Sequence, residues 1–412
     1  METTPNPINA GDTAWVLVST ALVLLMTAPG LALFYGGMVR RKNVLGILMQ
    51  CFICLALVSV LWVVFGYSLA FGKGNPFIGG LDWFMLKGVG TDPNTDYAGT
   101  IPHLAFMIFQ GMFAVITPAL IIGSYAERMK FSAFLVFTAL WLTLVYCPIA
   151  HMAWGVGGFL NALGAKDFAG GTVVHINAGI AGLVTALYLG KRYGTEKPGM
   201  HNIPFVVIGA ALLWFGWFGF NAGSALAANG LAAHAFVTTN TAAAAAVLSW
   251  AIMEWMFSGK PTTLGAASGA VAGLVAITPA CGFVDVGGAL WIGLLASVLC
   301  FFMVAVVKPK LGYDDTLDAF GVHAIGGIWG ALATGLFAVK SANGIDGFFA
   351  GNPEQLWKQF IAVSVTIAYT AVATGIICFV VDKVMGLRAS QEDEIMGLDL
   401  TQHHERAYTI LD

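Results

Sequence analysis

The stretch TAWVLVSTALVLLMTAPGLALFY, residues 13–35, carries no charged side chain and decides the class of fold. A helix of about 20 apolar residues crosses the hydrocarbon core of a bilayer, and this stretch is long enough to do so. It is too long for the apolar part of a cleavable signal, and no Lys or Arg precedes it. We therefore interpret it as a genuine first membrane span.

The rest of the chain has the same character. Of the 412 residues, 58% are hydrophobic and 10% are charged, and the mean hydropathy is +0.80. A soluble domain carries about 25% charged residues. The net charge of −3 provides no basic field, which argues against a nucleic-acid partner and leaves the lipid bilayer as the expected surroundings.

Eleven apolar segments follow one another, so we predict an all-α integral membrane protein with eleven transmembrane helices. The predicted spans are 13–37, 44–71, 100–123, 131–152, 171–190, 203–223, 232–258, 262–281, 286–307, 321–339 and 357–385. Charged residues, Gly, Pro or Asn separate them. The pattern predicts a transmembrane domain over residues 1–386 and a polar C-terminal tail over residues 387–412.

Lys and Arg are unequally divided between the two sides of these spans. One side holds most of the 19 basic residues, beginning with Arg40, Arg41 and Lys42. Since basic loops stay in the cytoplasm, we expect the N-terminus outside and the tail inside. The predicted location is the cell (inner) membrane, as a multi-pass protein.

Two patterns recur five spans apart. His175 and His323 each begin an H-x3-G-x2-G motif, and Ile116-Thr117-Pro118 recurs as Ile277-Thr278-Pro279. An odd offset inverts the second copy, so spans 1–5 and 6–10 are predicted to form an inverted repeat, with one extra helix. Such repeats are typical of transporters, whose substrate site lies near the membrane midplane.

His175 and His323 are the two histidines in the middle of apolar spans. Polar side chains are costly there, which favours a functional hypothesis, although structural hydrogen bonds to neighbouring helices are an alternative. Their corresponding repeat positions predict that they meet at the centre, where they can share a proton or bind a small polar guest. No H-E-x-x-H motif or further ligand pattern accompanies them, so we expect no metal and no cofactor.

Aromatic residues gather near the outer ends of spans three, four and six. Phe109 and Phe113 share a helix face, and Trp154 follows span four. Most such aromatics form an interfacial belt. An aromatic cage with a hydroxyl is the expected site for a small cation, and Ser224, four residues after Phe220, is the candidate hydroxyl.

Two carboxylates stand before the spans that carry the histidines. Asp167 is eight residues before His175, and Asp318 is five residues before His323. Both precede a helix, so capping is the expected local role of each.

Several stretches resemble the ammonium transporter, methylammonium permease and Rh family, nearest its bacterial ammonium channels, over nearly the whole chain. The most specific is DFAGGTVVHINAGIAG at 167–182. The others are APGLALFYGG at 28–37, GWFGFNAGS at 216–224 and FGVH at 320–323.

The resemblance implies a role for each matching residue. By it, Phe109, Phe113, Trp154 and Ser224 look like the outer substrate site, Phe113 and Phe220 like a stacked gate, His175 and His323 like the twin-His pair of the pore, and Asp167 like a structural support of the outer site. Gly397, Leu398, Asp399 and Tyr408 resemble tail segments that dock on the cytoplasmic face, where a PII-type (GlnK-like) regulator binds. The family forms homotrimers and takes ammonium and methylammonium as substrates.

We therefore predict an ammonium transporter. It is expected to bind ammonium at the outer aromatic site, deprotonate it and pass ammonia through an apolar pore lined by the His pair, with separate proton transfer. A channel for neutral ammonia or another small neutral solute and an ammonium sensor acting through the tail are the alternatives. An enzyme is the least favoured class, because no nucleophile–base or metal constellation is visible.

Overall fold

The computed structural model describes residues 8–194 and 199–408, which are helical over most of their length. The first seven residues of the predicted transmembrane domain, residues 195–198 and the last four residues of the predicted tail lie outside the described residues.

Eleven apolar helices account for the fold. They are α1 Ala10–Met38, α2 Arg41–Phe71, α3 His103–Tyr125, α4 Phe131–Leu163 (interrupted at 155–158), α5 Gly171–Leu189, α6 Ile203–Ala225, α7 Gly230–Ser258, α8 Thr263–Ile277, α9 Val286–Leu311, α10 Phe320–Phe337 and α11 Pro353–Met385. In the described part of the chain, 10 are long and apolar enough to cross a membrane, and α8 is shorter. The predicted all-α membrane class is confirmed.

The helix ends follow from short polar side chains and glycine. Thr262 begins α8 by accepting a hydrogen bond from Gly265 N (2.9 Å). Asp285 begins α9 in the same way through Gly288 N (2.7 Å). Gly259 ends α7 with a left-handed φ of 75°, a conformation that glycine adopts without a Cβ penalty.

Both histidine-bearing helices begin with a wide π-type turn. These turns are Gly171–Ile176 in α5 and Phe320–Ala324 in α10. Insertions of this kind are frequent at functional sites. Here they place the two histidines at matching positions of two helices.

The two H-x3-G-x2-G motifs pack against each other reciprocally. A Cβ on Gly179 would lie 2.3 Å from Ala324 N, and a Cβ on Gly327 would lie 3.0 Å from Ile176 Cγ1. Ala324 directly follows His323, and Ile176 directly follows His175. The glycine of each motif therefore contacts the residue that follows the histidine of the other motif. Glycine at both positions lets the helices approach closely, which supports the inverted relation of the two halves.

We call the side on which α1 begins the outer side, and the opposite side the inner side. The outer connection between α2 and α3 holds two small antiparallel hairpins, β1 Gly74–Asn75 with β2 Ile78–Gly79 and β3 Pro93–Asn94 with β4 Ala98–Pro102. The inner side holds the tail helices α12 Gln391–Met396 and α13 Leu398–His403. An isolated β-bridge joins Met129 to Arg388 and anchors the start of the tail.

Ion pairs join the inner connections. Glu127 pairs with Arg40 (2.8 Å) and Arg192 (3.3 Å), and Arg192 pairs with Asp314 (2.9 Å). The Glu127 side chain is 0% exposed. These pairs therefore connect four inner segments beneath the membrane-spanning helices.

Candidate functional site

A cavity of about 240 Å³ opens on the outer side between α3, α4 and α6. Of the predicted outer-site residues, Phe113, Trp154 and Ser224 line it. Phe109 is not among its lining residues and packs edge-on against Phe113, with ring centroids 5.0 Å apart. The remaining lining residues are Phe71, Asp96, Tyr97, Phe106, Gln110, Asp167, Phe168 and Leu226.

The aromatic rings in this cavity are held at fixed angles. The Phe113 and Trp154 centroids are 5.9 Å apart with planes at 89°. The Trp154 indole N–H donates to the Asp167 carbonyl oxygen (2.9 Å). Ser224 Oγ donates to the Phe220 carbonyl oxygen (2.8 Å), so its own oxygen remains able to accept. Ring faces and an accepting oxygen are suited to a small cation that has N–H donors.

The Asp167 carboxylate is fully occupied by the start of α5. It accepts hydrogen bonds from Gly170 N (2.8 Å), Gly171 N (2.6 Å), Thr172 N (2.8 Å) and Val173 N (3.2 Å), and from the Thr172 hydroxyl. Its side chain therefore caps the π-type turn, while its carbonyl orients Trp154. The carboxylate contacts and the carbonyl contact of Asp167 therefore both support the local structure of the site.

The corresponding carboxylate at α10 is Asp315, which the sequence reasoning missed. Asp315 stands eight residues before His323, the same spacing as Asp167 to His175, and accepts from Phe320 N (2.8 Å). The prediction that Asp318 caps this helix is wrong. Its carboxylate pairs with Lys308 (2.6 Å) and makes no capping hydrogen bond to the start of α10, and its φ of 61° turns the chain just before that helix. The equal spacing was the signal that could have identified Asp315.

Phe113 and Phe220 close the floor of the outer cavity. Their ring centroids are 4.3 Å apart with planes at 32°, and their exposed fractions are 1% and 0%. Below them is a space of about 10 Å³, walled by Ile116, Leu120, Leu213, Trp217, His175 and His323 among others. That volume suits about one water-sized molecule.

The two histidine rings face each other in this lower space. Their centroids lie 5.4 Å apart with planes 11° from parallel. Trp217 stacks on His175 with ring centroids 5.4 Å apart, and its indole N–H donates to the Thr278 hydroxyl (2.8 Å). Neither ring nitrogen of His175, nor Nδ1 of His323, has a hydrogen-bond partner among the described residues. Buried groups of this kind call for a partner such as a bound guest.

A third cavity, about 40 Å³, continues from His323 toward the inner side, where Asp318 lines it. Partial burial raises the pKa of Asp318, and so does the neighbouring Asp315 carboxylate, although the charge of Lys308 opposes the shift. The outer cavity, the Phe pair, the histidine space and this inner cavity together trace a path through the helix bundle.

No metal site emerges around the histidines. Within residues 8–194 and 199–408, no group of three His, Cys, Asp or Glu side chains is arranged to hold a metal ion.

The predicted tail residues contact the inner side at several points. Leu398 N donates to the Asn43 side chain (2.8 Å). The Asp399 carboxylate accepts from Leu45 N (3.0 Å) and Gly46 N (2.7 Å) at the start of α2. Gly397 makes the sharp turn between α12 and α13 with φ 112°. The Tyr408 hydroxyl is 3.0 Å from a ring nitrogen of His201.

Comparison with known proteins agrees with this arrangement. The model of the Ammonium Transporter Family matches residues 14–408. The chain is 55% identical to the ammonium transporter of Bacillus subtilis over 97% of this chain and 98% of the relative. It is 51% identical to the ammonium transporter of Aquifex aeolicus over 98% and 94% of the two chains.

Solved structures give the same result. The crystal structure of Saccharomyces cerevisiae Mep2 superposes with a TM-score of 0.87 at 37% identity, covering 93% of this chain and 88% of that one. A structure titled "Sensor Amt Protein" superposes with a TM-score of 0.88 at 30% identity, covering 95% and 98%. On the match to residues 14–408 and these identities, the chain belongs to the ammonium transporter family.

Proposed function

We propose that this protein takes up ammonium by binding it in the outer aromatic cavity, deprotonating it and passing ammonia along the histidine-lined space, while the proton travels separately. The observation that carries the proposal is the order of the parts along one path: a cage, a closed Phe pair, and two facing histidines in an apolar space. The names of the relatives support ammonium as the substrate.

The outer cavity supplies recognition. Phe113 and Trp154 offer ring faces to a cation, an interaction that strengthens where water is excluded. The free lone pairs of Ser224 accept an N–H from the ion. A bare metal cation of similar size gains the ring contacts but has no N–H to donate.

The Phe pair supplies selectivity through desolvation. An ion that passes Phe113 and Phe220 would enter a space too small to keep a hydration shell. Ammonium can avoid this cost by losing its proton, since burial pulls the pKa of an amine down by several units. Potassium has no proton to lose and is therefore rejected.

The histidines supply hydrogen bonds inside the apolar space. Neutral ammonia both donates and accepts, and three unpartnered ring nitrogens stand beside its path. A chain of two imidazoles and a guest can also relay a proton. We propose this relay as the separate proton route, which makes transport electrogenic.

The proposal also includes the oligomeric state of the protein, its orientation in the membrane and its regulation. By the family resemblance, the protein is a homotrimer in the cell (inner) membrane, with the N-terminus outside and a PII-type regulator bound at the cytoplasmic tail. The tail contacts at Asn43, Leu45 and Gly46 support a regulatory role, because a partner that pulls on the tail would act on the inner end of α2.

A sensor is a second candidate, favoured by the docked tail and by the similarity to the structure titled "Sensor Amt Protein". The deciding experiment is current across liposomes after an ammonium jump, with a potassium jump as control. An ammonium-specific current supports electrogenic transport. Ammonia flux without current would support a neutral channel, and binding without either would support sensing.

A further inference from the structure

One wall of the outer cavity carries polar side chains in addition to the aromatic rings described above. Gln110 lies on α3 between Phe106 and Phe113, at spacings of four and three residues that place all three on one helix face. All three line the same cavity of about 240 Å³. The side-chain oxygen of Gln110 is buried and has no hydrogen-bond partner among the described residues.

The other polar groups of this wall are hydrogen-bonded within the protein or lie at its exposed rim. The Tyr97 hydroxyl donates to the Phe71 carbonyl oxygen (2.5 Å) and accepts from Val156 N (3.2 Å). The Asp167 carboxylate is held by the turn at the start of α5. Asp96 is exposed at the rim. Two sheltered oxygens therefore keep the capacity to accept a hydrogen bond, Ser224 Oγ and Gln110 Oε1.

We propose that Gln110 is a specificity-determining residue of the outer site, whose amide oxygen accepts an N–H of the bound cation. The inference rests on the proposed function and adds a contact to it. Aromatic faces attract any small cation without regard to its donors. A second oxygen acceptor rewards an ion with N–H bonds in several directions, because a buried carbonyl left unpaired is costly.

The number of N–H bonds on each ion predicts how Gln110 affects the preference between ammonium and methylammonium. Ammonium has four N–H bonds, whereas methylammonium has three and a methyl group. With Gln110 present, a methyl group turned toward it leaves the carbonyl unpaired. With leucine at this position, the same methyl group finds an apolar neighbour of similar size. Removing the amide therefore favours methylammonium relative to ammonium.

The test compares Gln110→Leu with wild type in proteoliposomes, using ammonium and methylammonium as separate substrates. We expect the half-saturation concentration for ammonium to rise about tenfold, the size expected for one hydrogen bond to a charged group. The value for methylammonium should rise less, and the maximal rates should change little. Gln110→Glu restores an acceptor of the same length and should restore the half-saturation concentration for ammonium.

Gln50 provides a matched control. It is a second glutamine with a buried, unpartnered side-chain oxygen, but it lies on α2 and does not line the outer cavity. Gln50→Leu should keep the wild-type preference between the two substrates. Elution of each variant as a single species in detergent checks that it has folded.

Three results would decide the matter. A selective loss for ammonium in Gln110→Leu alone supports the inference. Unchanged half-saturation for both substrates, or an equal loss for both, overturns it while leaving the proposed function intact. Absence of saturable ammonium transport in the wild-type protein would instead overturn the proposed function, and this inference with it.

Discussion

The imidazole rings of His175 and His323 lie parallel, 5.4 Å apart, and come from corresponding positions of two oppositely oriented repeats. Reciprocal glycine contacts hold them there, since Gly179 meets Ala324 and Gly327 meets Ile176. The pair is thus a product of the packing of the two halves, and three of its four ring nitrogens have no hydrogen-bond partner among the described residues.

Replacing both histidines with leucine should abolish the ammonium current. The change removes both imidazoles from the middle of the path, and with them the proposed proton relay. Current after an ammonium jump in liposomes is the measurement. His234→Leu is a suitable control, because His234 bonds the Val284 carbonyl oxygen (2.7 Å) near the outer end of α7. An undiminished, ammonium-selective current in the double variant would rule out the relay.

Phe220→Ala should admit potassium. Removing this ring joins the outer cavity to the histidine space and lets hydrated ions enter. It should also lower stability by about 3–5 kcal/mol, as for other buried Phe→Ala changes. Potassium flux is the readout, and Phe218→Ala is the control, since Phe218 stacks on the exposed Phe236 at 3.9 Å and lines neither cavity. Potassium exclusion that survives in Phe220→Ala would show that the gate lies elsewhere.

Hydrophobic length and motif recurrence were enough to predict the helices, the inverted repeat and the histidine pair. The same patterns could not show which ring of α3 lines the cavity. Phe109 and Phe113 share a face by spacing, yet Phe109 packs behind Phe113 against Gly223. Contacts between distant helices decide such details. The capping role of Asp315 could have been predicted, because its spacing to His323 is visible in the sequence.

Asp167→Asn should destabilise the start of α5. The carboxylate accepts from four backbone N–H groups, and an amide would turn an NH₂ group toward some of them. A loss of about 3 kcal/mol is expected for hydrogen bonds to a charged group. Thermal unfolding in detergent measures it. Trp154 fluorescence should change as well, because its indole bonds the Asp167 carbonyl oxygen. A variant as stable as wild type would contradict the capping role.

The contribution of Asp314 to stability should depend on pH. Burial opposes its ionisation, but the hydrogen bonds and charge of Arg192 prevail and lower its pKa to about 2. An unfolded Asp titrates near pH 3.9, so this stabilisation is complete above about pH 5 and is lost as the pH falls toward 2. Its size at neutral pH is about 2 kcal/mol.

The comparison of wild type with Asp314→Asn tests this dependence. The difference in unfolding temperature should be full at pH 7 and shrink steadily from pH 4 downward. Asp82→Asn, at an exposed outer carboxylate, should show no such difference. A difference in unfolding temperature that stayed constant down to pH 2 would mean that the ion pair with Arg192 does not stabilise the protein in this pH-dependent manner.

Gly397→Ala should release the tail. Gly397 has a φ of 112°, and a Cβ there would lie 2.7 Å from Lys42 Cβ and 2.8 Å from Lys42 O. The clash falls at the junction that presents Leu398 to Asn43 and Asp399 to α2, so both contacts should weaken together. Faster protease cleavage after residue 386 measures the release.

Gly344→Ala controls for backbone strain, because Gly344 has a φ of 74° with no neighbouring atom within 4 Å. If transport falls in Gly397→Ala but not in Gly344→Ala, tail docking regulates the pore. If cleavage accelerates while transport is unchanged, the tail is a binding site for a partner and not a regulator by itself.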